Sequence, residues 1–274
     1  MKLRERELSS DCPQIMGILN VTPDSFSDGG RAYKSIDKAL FLAEEMLANG
    51  ASIIDVGGES TRPGAADVAE AEEYDRVVPV VEAIRSRLDV AISVDTSSAK
   101  VMAGAISAGA HLINDVRSLS RPGALAVVSE SDVAVCLMHM KGEPRQMQNA
   151  PVYEDVVSEV LDCLTFAIND CVLHGIDKSR IILDPGFGFG KTLGHNSTLF
   201  RGLPRLGVEG CPLLVGVSRK TMVGDILGKP VDQRMAGSVG LAVLAVSMGA
   251  WIVRVHDVAE TADAVKTAFH VLKG

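Results

Sequence analysis

The residues of this chain best able to bind or polarise a ligand share one position in its pattern. Each stands at or just after a short apolar, β-branched run. Asn20 follows the run 15–19, and Asp55 with Glu59-Ser60-Thr61-Arg62 marks the end of 52–56. Asp95 follows 91–94, Asn114-Asp115 follow 112–113, and Asp184 follows 181–183. Ser218-Arg219-Lys220 close the run 213–217, while Arg254 and His256 close 251–253. Loop capping accounts for any one such residue, but seven runs of eight ending in ligand-grade groups points to a shared site.

The cluster has two chemical characters. Arg62, Arg219, Lys220, Arg254 and His256 concentrate positive charge, as a phosphate or pyrophosphate would require. Asp95, Asn114 and Asp184 offer acceptors and one amide. Two carboxylates and an amide suit a neutral heterocycle with several N–H donors, since a carboxylate accepts from adjacent ring and exocyclic N–H groups together. A carboxylate pair that binds a metal or performs acid–base work is the alternative.

These groups need a scaffold that gathers strand ends. The eight runs, counting 134–138 as the fifth, alternate with helical patterning over 36–48, 69–87, 97–108, 153–174 and 258–272. Strand and helix in alternation predict a parallel sheet. Closing it into a single-domain (β/α)8 TIM barrel over 1–274 places every strand C-terminus on the face where active sites of this fold sit. An open doubly wound sheet is the rival. Glycines at Gly50, Gly109, Gly175, Gly210 and Gly249, each just before a strand, read as left-handed helix ends.

Composition narrows the function. With 27 Lys plus Arg against 35 Asp plus Glu, the net charge of −8 disfavours nucleic acid as a partner. The five cysteines are odd in number and lack C-x-x-C spacing, and no signal-peptide pattern opens the chain, so a reduced, cytoplasmic protein is expected. Cys163 and Cys171, eight apart on a helix, are expected to bury together. Residues 235–253 carry no charge, but their glycines, serines and β-rich end read as a buried helix followed by a strand rather than a membrane span. The run Gly186-Phe187-Gly188-Phe189-Gly190-Lys191-Thr192 has one residue too few for a phosphate-binding P-loop. It reads better as a strand-end loop carrying Phe189 toward a flat ligand. Met138-His139-Met140 reads as core packing rather than a metal site.

The longer motifs resemble those of the dihydropteroate synthase family. Met16-Gly17-Ile18-Leu19-Asn20-Val21-Thr22-Pro23-Asp24-Ser25-Phe26-Ser27-Asp28-Gly29-Gly30 resembles its first signature, and Asp55-Val56-Gly57-Gly58-Glu59-Ser60-Thr61-Arg62-Pro63-Gly64 its second. The likeness continues in order through Ser93-Val94-Asp95-Thr96, Ile113-Asn114-Asp115, Leu183-Asp184-Pro185-Gly186-Phe187-Gly188-Phe189-Gly190-Lys191, Gly216-Val217-Ser218-Arg219-Lys220 and Arg254-Val255-His256-Asp257. The resemblance implies condensation of 6-hydroxymethyl-7,8-dihydropterin diphosphate with 4-aminobenzoate, giving 7,8-dihydropteroate and pyrophosphate. It implies a pterin site of Asp95, Asn114, Met138, Asp184, Phe189, Lys220 and Arg254. Asn20, Arg62, Arg254 and His256 would hold the diphosphate, with Mg²⁺ at Asn20. Phe26, Thr61, Pro63, Lys220 and Thr221 would form the aminobenzoate side, where many relatives have Ser in place of Thr221. A homodimer and sensitivity to sulfonamides are implied as well.

Asp95, Lys220, Arg254 and His256 are then the expected catalytic residues. A dissociative displacement is expected, with Asp95 stabilising a cationic pterin, and an associative route competes with it. A pterin-dependent methyltransferase would have no use for Arg62, Arg254 and His256 together, and a non-catalytic pterin binder would be expected to lose Asp24, Thr61 and Arg62. The stretches 22–30 and 60–66, rich in Gly, Pro, Ser and Asp, are expected to be mobile loops.

Overall fold

A computed structural model of the chain describes residues 1–22, 32–59, 68–142, 147 and 151–273. An N-terminal hairpin, β1 (Lys2–Leu3) and β2 (Arg6–Glu7), precedes the first long strand, β3 (Gln14–Asn20). Then follow α1 (Ala32–Ala48), β4 (Ile53–Gly57), α2 (Glu70–Arg87), β5 (Ala91–Asp95), α3 (Ala99–Ser107), β6 (Leu112–Asp115), α4 (Ala124–Ser129) and β7 (Ala134–Met138). The second half comprises α5 (Val156–Leu173), β8 (Ile181–Asp184), α6 (Leu193–Arg201), β9 (Leu213–Val215), α7 (Thr221–Leu227), α8 (Met235–Ser247), β10 (Ala250–Val255) and α9 (Val258–Lys273). Strands β3 to β10 pair in parallel, in chain order, and β10 pairs back onto β3, so the barrel is closed as its sequence pattern predicts.

Side chains of a strand alternate between faces, and that alternation sorts this sequence into three environments. Ile15, Leu19, Ile54, Val56, Ile92, Val94, Ile113 and Val135 face outward and join the helices in one apolar cluster. Met16, Ile53, Ala91, Leu112, Ala134, Ile182, Leu214 and Ile252 face inward and fill the barrel floor, with Leu3 of the hairpin packed among them as a plug. Two residues further along several strands the interior turns polar, at Asp55, Ser93, Asn114, Asp184 and Arg254, all but Arg254 fully or nearly fully buried. The floor is greasy and the mouth is polar.

Local signals set the helix ends. Asp155 caps α5 by accepting from the Val157 and Ser158 amides at 3.0 and 3.3 Å, so the helix starts three residues after the patterned segment 153–174 does. Ser98 caps α3 in the same way. The five glycines expected at helix ends all have φ between 77° and 101°.

Two expectations are corrected. Cys163 is exposed while Cys171 is buried, because eight residues advance a helix by about 80° beyond whole turns. The inward stripe of α5 is instead Val157, Val160, Leu164, Ile168 and Cys171. Residues 235–253 do form a helix and then a strand, but α8 is not a buried helix: Ser238, Ala242 and Ala245 are its buried positions, and Met235 and Leu244 are 40% and 49% exposed. No described helix is long and apolar enough to cross a membrane.

Because Leu3 is fully buried in the floor, Leu3→Ala is expected to lower unfolding free energy by about 2 to 5 kcal/mol, the usual cost of a core leucine. Denaturant unfolding measures it. A loss below about 1 kcal/mol would mean the hairpin does not plug the barrel.

Candidate active site

The polar mouth is organised around Arg254, the inward residue near the end of β10. Its Nε donates to Asp55 Oδ2 at 2.6 Å and its Nη2 to Asp95 Oδ2 at 2.8 Å, which ties β10 across the interior to β4 and β5. Asp55 Oδ2 also accepts from Asn114 Nδ2 at 3.3 Å, so one buried carboxylate orients both an arginine and an amide. Asp55 lies inside β4, not after it, and is fully buried. Sequence reading placed it among the strand-end groups and missed its part as counter-ion. The available signal was a lone acid on the inward phase of an otherwise apolar run.

Register brings the neighbours together. Gly57 of β4 pairs with Asn20 on one side and Asp95 on the other, and Asp95 pairs with Asn114. A Cβ at Gly57 would lie 3.7 Å from Asn20 Oδ1 and 3.6 Å from the Asp95 Cβ, so glycine leaves open space between these side chains. Gly216 does the same between Arg254 and Lys220. Across the barrel, Met138 pairs with Asp184. Met138 and Phe189 belong to one small apolar cluster with Val116 and Met147, and the Lys220 ammonium sits 4.6 Å from the Phe189 ring centroid. The result is a slot with an apolar wall on one side and hydrogen-bonding groups at its edge and depth.

Burial perturbs the charged groups in opposite senses. Desolvation pushes Asp95 up to about 7, against the pull of Arg254 and with help from Asp55. Asp184 is also raised by burial, opposed by Lys220 and by the Gly186 N–H, which donates to Oδ1 at 2.7 Å. Burial draws Lys220 down to about 8, although Asp184 favours its charged form. Perturbed acids and a perturbed lysine in one concave site are the mark of a binding or catalytic centre.

The rim is less uniform than its composition implied. His256 Nδ1 and Ser218 Oγ share a hydrogen bond of 3.0 Å, and Ser218 also accepts from the His256 amide, which fixes the imidazole at the mouth. Arg219, counted above among the anion-binding charges, is instead paired with Asp257 in a two-pronged contact and adopts φ of 57°. Its charge holds the loop after β9 to the segment after β10. Asp115 likewise serves the loops, accepting from the Arg117 and Leu119 amides of its own and from Ser97 Oγ of the one after β5. Thr221 opens α7 and is exposed, next to Lys220. Phe26, Thr61, Arg62 and Pro63, with the stretches 23–30 and 60–66, lie outside the described residues.

A model of the pterin-binding enzymes matches residues 16–256, nearly the whole barrel. The chain belongs to this family. The dihydropteroate synthase of Haemophilus influenzae is 54% identical over 259 residues, covering 94% of each chain. The structure of the Yersinia pestis dihydropteroate synthase in complex with a sulfonamide drug superposes with a TM-score of 0.95 at 52% identity, covering 100% of this chain and 99% of that one. The Xanthomonas albilineans dihydropteroate synthase in complex with 7,8-dihydropteroate superposes with a TM-score of 0.86 at 40% identity, covering 97% and 96%.

The geometry separates two arginines sharply. Arg254→Ala is expected to reduce kcat/KM by about 100- to 1000-fold, the cost of one charged donor to developing charge. Arg205→Ala, an exposed position on a short 3-10 turn, is expected to stay within about twofold of the parent. Equal activities in a steady-state assay would remove Arg254 from the site.

Proposed function

We propose that this chain is a dihydropteroate synthase, a transferase that joins 6-hydroxymethyl-7,8-dihydropterin diphosphate to 4-aminobenzoate, releases pyrophosphate and is a target of sulfonamides. The observation that carries the reading is the slot itself, where Asp95, Asn114 and Asp184 meet Arg254, Lys220, Met138 and Phe189. Asp95 and Asp184 accept from the ring and exocyclic N–H groups of the pterin, while Asn114 supplies the mixed donor and acceptor that the rest of the edge needs. Met138 and Phe189 cover one face, and Arg254 lies against the other. Asn20, Arg254 and His256, with Arg62, hold the diphosphate where the slot opens to the rim.

Chemistry follows from the charges. Cationic and donor groups at the rim stabilise the pyrophosphate that leaves, while the buried carboxylates stabilise positive charge spread from the methylene into the dihydropterin. The aryl amine of aminobenzoate is neutral at pH 7, adds through its lone pair to the carbon that pyrophosphate has left and releases its surplus proton to solvent, so Asp95 acts as an electrostatic partner rather than a base. Lys220 and Thr221, with Phe26, Thr61 and Pro63, form the aminobenzoate side. The residues present fit a Mg²⁺ that arrives with its diphosphate. Asn20 offers one hard amide oxygen, Mg²⁺ commonly takes few protein ligands, and among the described residues no cluster of three His, Cys, Asp or Glu offers a closed protein cage. When bound, the ion would neutralise phosphate charge. Release of pyrophosphate on mixing protein, Mg²⁺, pterin diphosphate and aminobenzoate tests the reading. No release, with either substrate omitted as the control, refutes it.

We further infer a homodimer and a cytoplasmic location. Ile226 and Leu227 on α7, Val231, and Met235 and Leu244 on α8 are each 40% to 56% exposed, a concentration of large apolar groups that an isolated barrel leaves in water. All five cysteines are unpaired, in keeping with a reducing compartment.

Two outcomes are expected. Pterin affinity should fall as pH drops through about 7, because Asp95 becomes protonated there and loses an acceptor, and the loss should approach about tenfold per pH unit. Calorimetry from pH 8.5 to 5.5 reads it, and Asp95→Asn should weaken binding and flatten the profile. Leu244→Asp should shift the protein from dimer to monomer in sedimentation equilibrium. A variant that remains dimeric places the interface elsewhere.

A further inference from the structure

Among the described residues, Lys191 is the one strongly buried lysine whose position the chemistry above leaves unused. Its side chain is 3% exposed, and among the described residues no carboxylate forms an ion pair with it. Its three N–H groups instead meet four acceptors: the Gly186 carbonyl at 2.8 Å, the Phe189 carbonyl at 3.1 Å, His139 Nδ1 at 2.9 Å and the His139 carbonyl at 3.4 Å. Burial and the neighbouring Lys191 hold the His139 imidazole down to about 3, so it is neutral and its Nδ1 is the acceptor. Burial also lowers Lys191, to about 7, with Asp184 sustaining its charge.

These bonds join two strand ends. Gly186 and Phe189 belong to the loop after β8, and His139 directly follows β7. The two segments touch so closely that a Cβ on Gly186 would fall 1.9 Å from the His139 carbonyl oxygen, and one on Gly190 would fall 2.2 Å from that of Lys141. Both glycines have positive φ, 69° and 63°, which lets the loop turn down onto its neighbour. Tyr153 closes the far end by donating to the Gly190 carbonyl at 2.9 Å. The segment so anchored carries Phe189, the wall beside Met138, and the Gly186 amide that fixes Asp184.

We propose that Lys191 is a positioning residue for the pterin, its ammonium binding the loop after β8 to His139 so that Phe189 and Asp184 are set for the ring. It does not touch the substrate. The proposal rests on the pterin assignment of the slot, and the parent enzyme separates the two: a parent that releases no pyrophosphate refutes the assignment, whatever the variants do.

Steady-state kinetics on the full chain, with Mg²⁺, pterin diphosphate and aminobenzoate, test it in three variants. Lys191→Met keeps the length of the stem and removes all donors. It is expected to raise the pterin diphosphate KM about tenfold or more, as loss of one hydrogen bond from a charged group does, with the aminobenzoate KM within about twofold. His139→Leu removes the side-chain acceptor and should move the same constant in the same direction. His139→Asn returns an acceptor near the Nδ1 position and should restore it. Equal change of both KM values in Lys191→Met, or none, overturns the proposal. Should Lys191→Met fail to fold, the His139 pair decides, and a pterin KM that is the same in His139→Leu, His139→Asn and the parent overturns it equally.

Discussion

A guanidinium shared by two buried carboxylates is the interaction on which the mouth of this barrel depends. Arg254 reaches from the last strand to Asp55 and Asp95 on the second and third barrel strands, and Asp55 in turn aims Asn114. Removing one member of such a set leaves an uncompensated charge away from water, at a cost of about 3 to 5 kcal/mol, whereas the intact set contributes little net stability. Its role is therefore geometric. It fixes four side chains, one from each of four strands, against one another in the interior.

The same set leaves a useful imbalance. With the acids ionised, Asp55, Asp95 and Asp184 oppose only Arg254 and Lys220 among the described groups that meet in the slot, so the interior holds one excess negative charge. Desolvation raises the cost of that excess, as the upward displacement of Asp95 and Asp184 records. A ligand that brings N–H donors and develops positive charge relieves it. In the proposed reaction His256 at the rim would meet the opposite need, that of a departing anion. Separation of sign between depth and rim is what a displacement that parts a cation from pyrophosphate requires.

Loops at the mouth are held by polar residues spent on loop backbone and on one another. Asp115 satisfies two amides of its own loop and the Ser97 hydroxyl of the loop after β5, Arg219 is consumed by Asp257, and Lys191 by carbonyls and His139. Strand-end polar residues thus divide into those that face the slot and those that build its walls. Composition alone does not tell the two apart.

The eight strands, their order and the closed barrel were legible in the sequence because alternation of apolar runs with helical periods is a local property. Asp95, Asn114, Asp184, Lys220, Arg254 and His256 were legible for the same reason, each marking the end of a strand, and the long motifs carried the family likeness. Asp55 was only half visible: its place in an apolar run showed that it was unusual, but not that a residue 199 positions away would pair with it. Arg219 was misjudged because pairing with Asp257 depends on a left-handed turn that positive charge does not reveal. The exposure of α8 escaped as well, since an uncharged segment reads the same whether it faces a core or solvent, and that of Cys163 escaped because eight positions along a helix do not return to the same face. What the sequence by itself determined was the set of elements and the kinds of groups at their ends, because those depend on near neighbours. Which groups meet, which are spent on one another and which remain free for a ligand was decided only by closure of the barrel, because burial and pairing are set by residues distant in the chain.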